Sequence, residues 1–504
     1  MNNNLSATVA AAPTFTSEQA EHLLQTHYGI QATAQLLPSE RDQNFRMVAL
    51  EGQEFVLKIA NQAEERAMLE CQNLAMAHVL DQWSMPNDST PAPRLYPTQT
   101  DQAISTIQAP GGATHFMRLL TYLPGKPLAL IKPHNPPLLH SLGTFLGHLN
   151  QALADFDHPA AHRTFHWDLQ QASAVIKQYL PEIQSPEQRA MVQRLYDRFQ
   201  SHAVPQLSAL RTGVIHSDGN DYNLLAQLED NMDHRVTGII DFGDMVHSYI
   251  VGEVAIAATY LMLDKADPIA AAAHVVQGYH NVYPLTETEI ALLYDLISMR
   301  LCTSICMAAH QQSQAPDNDY LGISQGPVQR TLAQLDGVHP NLAHYIFRAA
   351  CGLEPCPQTT AITHWLNAQQ FAPVVDADLT TPDQQVLDLS VDSVLLGQLA
   401  DPSDAAAFTD LLFTNLKDQV GIGRYNEPRL IYTSDQFIIP SDEFPERRTI
   451  HLGLDVFIEA GAAVYAPLAG TVYCVHENLG ELDYGPTIIL EHETDEGISF
   501  YTLY

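Results

Sequence analysis

Along this chain stretches with apolar residues at every third or fourth position alternate with short β-rich runs. "SEQAEHLLQTHYG" has a serine in N-cap position, helical spacing and a terminating Gly, which predicts a helix. "FRMVALEGQEFVLKIA" follows as two β-rich runs joined by a turn around Gly52. "EERAMLECQNLAMAHVLDQW" returns to a helical period, with Met68, Leu69, Leu74 and Val79 among its apolar positions. "MPNDSTPAPRLYP" reads as a Pro-rich loop, and "THFMRLLTYLPGKPL" as a strand entering a turn at Pro124-Gly125.

From about 139 to 210 the period is helical: "LLHSLGTFLGHLNQAL", "DLQQASAVIKQYL" and "QRAMVQRLYDRFQSH". The polar stretch "GVIHSDGNDYNLL" interrupts it, and "VTGIIDFGDM" follows as a short β-branched run with a polar turn. "ALLYDLISMRLCTSICMAAH" and "NLAHYIFRAACG" are again helical. The expectation is a disordered tail over residues 1–15, then a β-rich lobe and a helix-rich lobe together spanning 16–355. Residues 356–440 read as a connecting module, helical at "CPQTTAITHWLNAQQF" and acidic and turn-rich afterwards. From 441 to 504, "AAVYAPLAGTVYCVHENLG", "GPTIILEHET" and "ISFYTLY" are short β-type runs.

Composition narrows the function classes. The 504 residues hold 24 Lys and Arg against 58 Asp and Glu, a formal charge of −34. A broad basic face for nucleic acid, or for an anionic membrane, is therefore not expected. The six cysteines are scattered with no CxxC pair, as in a reducing compartment. The N-terminus has no basic and apolar signal-peptide pattern. "YIVGEVAIAATYLML" is interrupted by Glu253 and too short to span a bilayer. A cytoplasmic protein is expected.

The polar stretch carries chemistry through its spacing. His216, Asp218 and Asn223 form H-x-D-x-x-x-x-N, and Asp241 follows in "IIDFGD". Phosphoryl transfer needs this set: an Asp beside the acceptor hydroxyl, an Asn and a second Asp to hold Mg²⁺, and a basic residue on the nucleotide phosphates. Lys58 in "FVLKIA" supplies the cation, and Glu70 is the helical carboxylate expected to hold it, with Glu64 and Glu65 as earlier alternatives. Singly, each has a plainer role: a strand-edge lysine, a solvated helix carboxylate, turn formers. Together and in this order they point to a kinase site.

On these residues, 15–350 resemble the aminoglycoside phosphotransferase and choline kinase superfamily. The ending N-D-x-N of "HSDGNDYN" is most similar to the hydroxylysine kinase branch. The resemblance implies an α+β, bilobal protein-kinase-like fold and ATP with Mg²⁺. It makes Asp218 the catalytic base, Asn223 and Asp241 the Mg²⁺ ligands, Lys58 the nucleotide contact paired with Glu70, and His216 a structural brace. "MRLLTYLPGKPL" matches the hinge that receives adenine. Ser217 replaces the family's usual Gly. The phosphate-covering loop, near "LLPSERDQNFRM", lacks Gly, so Ser39 and Asn44 are its candidate donors. The implied acceptor is a hydroxyl of a small amine-bearing molecule, and Asp221, Asp244 and Glu253 are candidates for its ammonium.

In "RRTIHLGLDVFIEAGAAVYAPLAGTVY", His451 and Asp455 form H-x-x-x-D, a pair suited to Zn²⁺. The run and the ending "FYTLY" resemble a partial, all-β LytM-like M23 metallopeptidase domain. The later histidines of that family's site are missing, so Zn²⁺ is expected only in a longer parent chain and peptidase activity is not expected. The plainer reading is that His451 and Asp455 pair with each other. A C-terminal aminotransferase-like module in such a parent is a further expectation. Two other functions compete: a cell-wall metallopeptidase with a degenerate kinase-like partner, and a pseudokinase scaffold. The absent signal-peptide pattern and missing histidines argue against the first, and the complete set Lys58, Asp218, Asn223, Asp241 against the second.

Overall fold

A computed structural model describes residues 12–504 except 40, 85–89, 110, 231, 315–324, 380–383, 402–403, 418, 433–434, 440–444 and 480–482. Most of the expected tail (1–11) and part of the Pro-rich loop (85–89) lie outside the described residues. Two units emerge, Met1–Pro355 and Cys356–Tyr504.

The first unit opens with helix α1 (Ser17–Tyr28). Its N-cap is Thr16 rather than the expected serine: the Thr16 hydroxyl accepts from Gln19 N–H, and the Gln19 amide reaches back to Thr16 N–H. Such a reciprocal cap is worth about 1 kcal/mol. Strands β1 (Ala32–Leu37), β2 (Gln43–Ala49) and β3 (Glu54–Ile59) form an antiparallel meander. Helix α2 (Arg66–Gln82) follows, then β4 (Leu95–Tyr96), β5 (Ser105–Gln108) and β6 (Thr114–Thr121), the last pairing with β3. Strand alternation assigns the two faces. Phe45, Met47, Phe55, Leu57, Ile59, Met117 and Leu119 bury one face against Ala20, Leu24 and Tyr28 of α1. Asn44, Lys58 and Arg118 sit in one row across β2, β3 and β6 on the other. A one-residue slip of β3 would carry Lys58 to the α1 side.

The second lobe is built on α3 (Pro136–Ala152), α4 (Ala172–Tyr179), α5 (Pro186–Arg198), α6 (Val251–Leu261), α7 (Pro268–Val282) and α8 (Glu287–Gln314). Helices α3 and α7 pack backbone to backbone. A Cβ at Gly143 would lie 1.9 Å from Val275 O, and one at Gly278 2.0 Å from His140 O. Ala at either position would force the pair apart. α8 is long and apolar enough to cross a membrane, but 89% of its most apolar window is buried inside this unit, so it serves as the core helix. Each fully buried Leu, Ile or Met along it contributes roughly 1.5–3 kcal/mol. Between the helices run β7 (Lys126–Pro127), β8 (Thr212–Ile215), β9 (Leu224–Leu228), β10 (His234–Ile239) and β11 (Val246–Tyr249), paired as β10-β9-β7 and β11-β8.

The second unit departs from the expected division at 440. Val420–Gly423 pairs with Gln384–Val386 on one side and Asp455–Phe457 on the other. Glu427–Pro428 pairs with Ile450–His451. Strands from the expected connecting module and the expected β-domain therefore share sheets. Short runs of two to four residues bury little alone, and their partners lie far along the chain. A helix, Ala405–Leu416, is capped by Asp404 and adds Leu412 and Leu416 to a small core with Leu387, Leu389, Leu396 and Ile431. This unit is mixed α and β. Its all-β part is the antiparallel sheet Thr471–Glu477, Pro486–Glu493 and Ser499–Leu503.

Candidate active site

β8 ends at Ile215, and the chain turns through His216–Asn223 before β9. The turn is gripped from behind. Glu253 of α6, fully buried, accepts from His216 N–H at 2.7 Å and Ser217 N–H at 3.3 Å. His216 Nδ1 accepts from Asp218 N–H at 3.3 Å, so its Nε2–H donates to Ile240 O at 3.1 Å. Burial pushes the imidazole pKa down to about 4, so the ring is neutral, consistent with these two roles. Ser217 occupies the left-handed region at φ 66 with a buried hydroxyl that lacks a partner. That geometry is why Gly suits the position.

The turn presents Asp218 with both oxygens engaged: Oδ1 accepts from Asn220 Nδ2 at 2.9 Å and Oδ2 from Asn223 Nδ2 at 2.7 Å. Burial, and then the Asp244 carboxylate, raise the Asp218 pKa, while Arg300 opposes them. Asn223 also donates to Asp218 O at 3.0 Å, so its amide nitrogen faces Asp218 and its carbonyl oxygen is left as an acceptor.

Asp241 follows β10 at φ 61 and caps the short turn Phe242–Asp244. Its Oδ1 accepts from Lys58 Nζ at 3.2 Å, which brings the β3 lysine onto the second lobe. The Lys58 charge lowers the Asp241 pKa to about 2, so the carboxylate is ionised although its side chain is 48% exposed. An ionised carboxylate and an amide oxygen are the hard donors that Mg²⁺ takes, so Asn223 and Asp241 fit that ion. Asn44, directly beside Lys58, has a buried Oδ1 with no partner.

Glu70 does not meet Lys58. It is exposed and pairs with Arg66 at 2.9 Å, one turn back on α2. The face of α2 turned to the sheet carries Leu69, Gln72 and Asn73, all bonded to the buried Arg118 through Leu69 O at 3.3 Å, Asn73 Oδ1 at 2.8 Å and Gln72 Oε1 at 2.7 Å. At 100° per residue, position 70 points away from that face. Arg118 in an apolar β-run was the overlooked signal.

The ammonium candidates are also placed differently. Glu253 is sealed beneath the turn. Asp244 is buried and bonded to Arg41, from the segment between β1 and β2. Asp221 is partly buried, and burial raises its pKa against a backbone hydrogen bond and the Lys132 charge. Beside them stand two guanidinium groups that the sequence reading missed: Arg163, donating to Gly243 O at 2.8 Å, and Arg300, 3.9 Å from Asp218. Arg300 carried a visible signal as a cation inside the apolar period of α8.

The segment expected as the hinge is fastened to the same lobe. Gly125, at φ 129, leaves only 3.1 Å between a would-be Cβ and Ala226 O of β9. Lys126 and Pro127 pair with Ala226 and Leu225.

In the second unit, His451 Nε2 lies 3.2 Å from Asp455 Oδ1. The Tyr432 hydroxyl meets His451 Nδ1 at 2.7 Å, and Arg429 Nη1 meets Asp455 Oδ2 at 2.7 Å. Among the described residues no group of three or more His, Cys, Asp or Glu could hold a metal ion.

Three comparisons bear on this site. The model of the phosphotransferase enzyme family (APH) matches residues 33–290. A hydroxylysine kinase of Mus musculus is 32% identical over 348 residues, 65% of this chain and 90% of that protein. One of Danio rerio is 32% identical over 340 residues, 65% of this chain and 94% of that protein. Among solved structures, an amicoumacin kinase in complex with AMP-PNP, Ca²⁺ and Ami covers 65% of this chain and 95% of that chain, at 14% identity and a TM-score of 0.49.

Proposed function

The chain belongs to the phosphotransferase enzyme family and is a small-molecule phosphotransferase acting on a hydroxyl group; from that premise we propose an ATP- and Mg²⁺-dependent kinase whose acceptor is a small amine-bearing alcohol of the hydroxylysine type. The observation that carries this is the meeting of Lys58, Asp218, Asn223 and Asp241 from β3, the turn after β8 and the turn after β10. The 32% identity to hydroxylysine kinases over most of their length supports the acceptor class.

Asp218 orients the acceptor hydroxyl and takes its proton as the oxygen bonds to the γ-phosphorus. The bond from that phosphorus to the β,γ-bridging oxygen breaks, and ADP leaves. Lys58 holds the nucleotide phosphates, and Asn223 and Asp241 would hold Mg²⁺. When bound, that ion neutralises charge on the phosphate oxygens. His216 and Glu253 fix the turn so that Asp218 does not have to be ordered during transfer.

For residues 441–504, the M23-like reading rests on their motif alone, and we assign them no peptidase chemistry. His451 and Asp455 lie against each other and against Tyr432 and Arg429.

The test is Mg²⁺-dependent ADP release with ATP and a panel of 5-hydroxylysine, ethanolamine, choline, homoserine and an aminoglycoside. The expected result is release dependent on 5-hydroxylysine that vanishes in Asp218→Ala. No acceptor-dependent release from any of the panel would defeat the proposal.

A further inference from the structure

Lys58 and Arg118 stand directly opposite each other on β3 and β6. Partners in such a register have Cβ atoms about 4.5–5.5 Å apart, and like charges so placed destabilise a sheet. Arg118 is also only 2% exposed, and a buried cation is costly unless its surroundings compensate it. Its bonds go to three neutral acceptors of α2. Nη1 donates to Asn73 Oδ1 at 2.8 Å and to Leu69 O at 3.3 Å, and Nη2 to Gln72 Oε1 at 2.7 Å. Among the described residues no carboxylate pairs with it; Asp42, Asp241 and Glu64 act on it only from farther off. The guanidinium is hydrogen-bonded, but its charge is not neutralised.

That charge bears on Lys58. Where a helical carboxylate was expected to hold the lysine, α2 presents two amides already bonded to a guanidinium. On that side the Lys58 ammonium meets a like charge. On its other flank Asn44 has a buried Oδ1 with no partner. Lys58 bypasses it and extends to Asp241 Oδ1 at 3.2 Å. The two cations of one row therefore diverge, one onto the helix and one toward the transfer site.

We propose that Arg118 is a positioning residue for the nucleotide: seated on α2, its uncompensated charge keeps the Lys58 ammonium turned toward the phosphates. It does by repulsion what a paired carboxylate would do by attraction. Two adjacent cations favour a ligand with several negative charges, so the effect belongs to nucleotide affinity and not to the acceptor. The inference rests on the kinase reading of this site.

The experiment is binding of MgATP to the full chain by isothermal titration calorimetry, without acceptor, in wild type, Arg118→Met, Arg118→Lys and Gln72→Glu. KM for 5-hydroxylysine is then measured in each. Arg118→Met removes the charge and should weaken MgATP binding about tenfold or more. Arg118→Lys keeps the charge and should recover most of that loss. Gln72→Glu keeps α2 tied, because a carboxylate accepts from the same Nη2, but it neutralises the guanidinium. It should weaken MgATP binding as Arg118→Met does, whereas a purely structural tie would leave its affinity at the wild-type value. KM for 5-hydroxylysine should hardly change in any variant. Wild-type affinity in folded Arg118→Met or in Gln72→Glu overturns the proposal, and so does an Arg118→Lys as weak as Arg118→Met. Should Arg118→Met not fold, Gln72→Glu decides on the same terms. A wild type that binds no MgATP defeats the kinase reading, and this inference falls with it. A wild type that binds MgATP but is inert toward 5-hydroxylysine defeats the acceptor assignment alone, and the calorimetry still decides on Arg118.

Discussion

His216 and Asp218 lie in a turn whose backbone is held from behind by Glu253, and Arg300 stands further back. His451 and Asp455 are held from the side by Tyr432 and Arg429. In the first unit Glu253 grips backbone N–H groups, and the Asp218 oxygens accept from the neutral amides of Asn220 and Asn223. In the second, a tyrosine hydroxyl and a guanidinium lie against the His and Asp side chains themselves. Two His–Asp motifs of similar appearance thus reach opposite ends, because the placement of the neighbours decides whether a polar pair is a site or a tie.

The sharpest separation of the two is kinetic. Asp218→Asn should lower kcat by about 10²–10⁴-fold, the usual worth of a positioned base, while His451→Ala leaves kcat unchanged. Steady-state assays of both would break the comparison if the losses were alike.

Support from behind has a pH signature. Burial raises the Glu253 pKa from 4.5 to about 7 in the folded chain. Its contribution to stability is therefore full below pH 4.5 and is lost as pH rises through 7. Over that interval, urea titrations should show wild type losing about 1 kcal/mol or more relative to Glu253→Gln, whose amide does not titrate. Parallel stability curves would mean that Glu253 is not held as described.

Support from the side has a different cost. Arg429 is buried between Glu427, at 2.9 Å, and Asp455. Asp455→Ala removes one of its two carboxylates and should destabilise the second unit by about 1–3 kcal/mol, read by thermal unfolding. Stoichiometric zinc retained by the wild-type chain after dialysis would contradict the closed pair.

The smallest effect concerns Ser217. Its left-handed backbone and unpartnered buried hydroxyl predict that Ser217→Gly gains about 1 kcal/mol with kcat little changed. A loss of stability would show that the hydroxyl is engaged.

What could be read in the sequence was local. The β-rich runs on either side of Gly52 put Lys58 on a strand, and the Gly52 turn, at φ 87, joins β2 and β3 as read. The spacing of Asp218 and Asn223 is short enough that one turn brings them together. Glu70 was misread because a helix's inward face depends on which side meets the sheet, and Arg118 selects Gln72 and Asn73. The strands of the second unit were legible as strands, but not their pairing across 440, since runs this short have no register of their own.

By itself, then, the sequence determined a bilobal α+β kinase-type chain and the residue types of its transfer site, because period and spacing act over a few residues. Only the tertiary structure decided that Lys58 meets Asp241, that Glu253 braces rather than binds, and that Arg300 stands near Asp218. Burial and charge compensation depend on distant elements, and α6 and α8 become neighbours of the Asp218 turn only when the core closes.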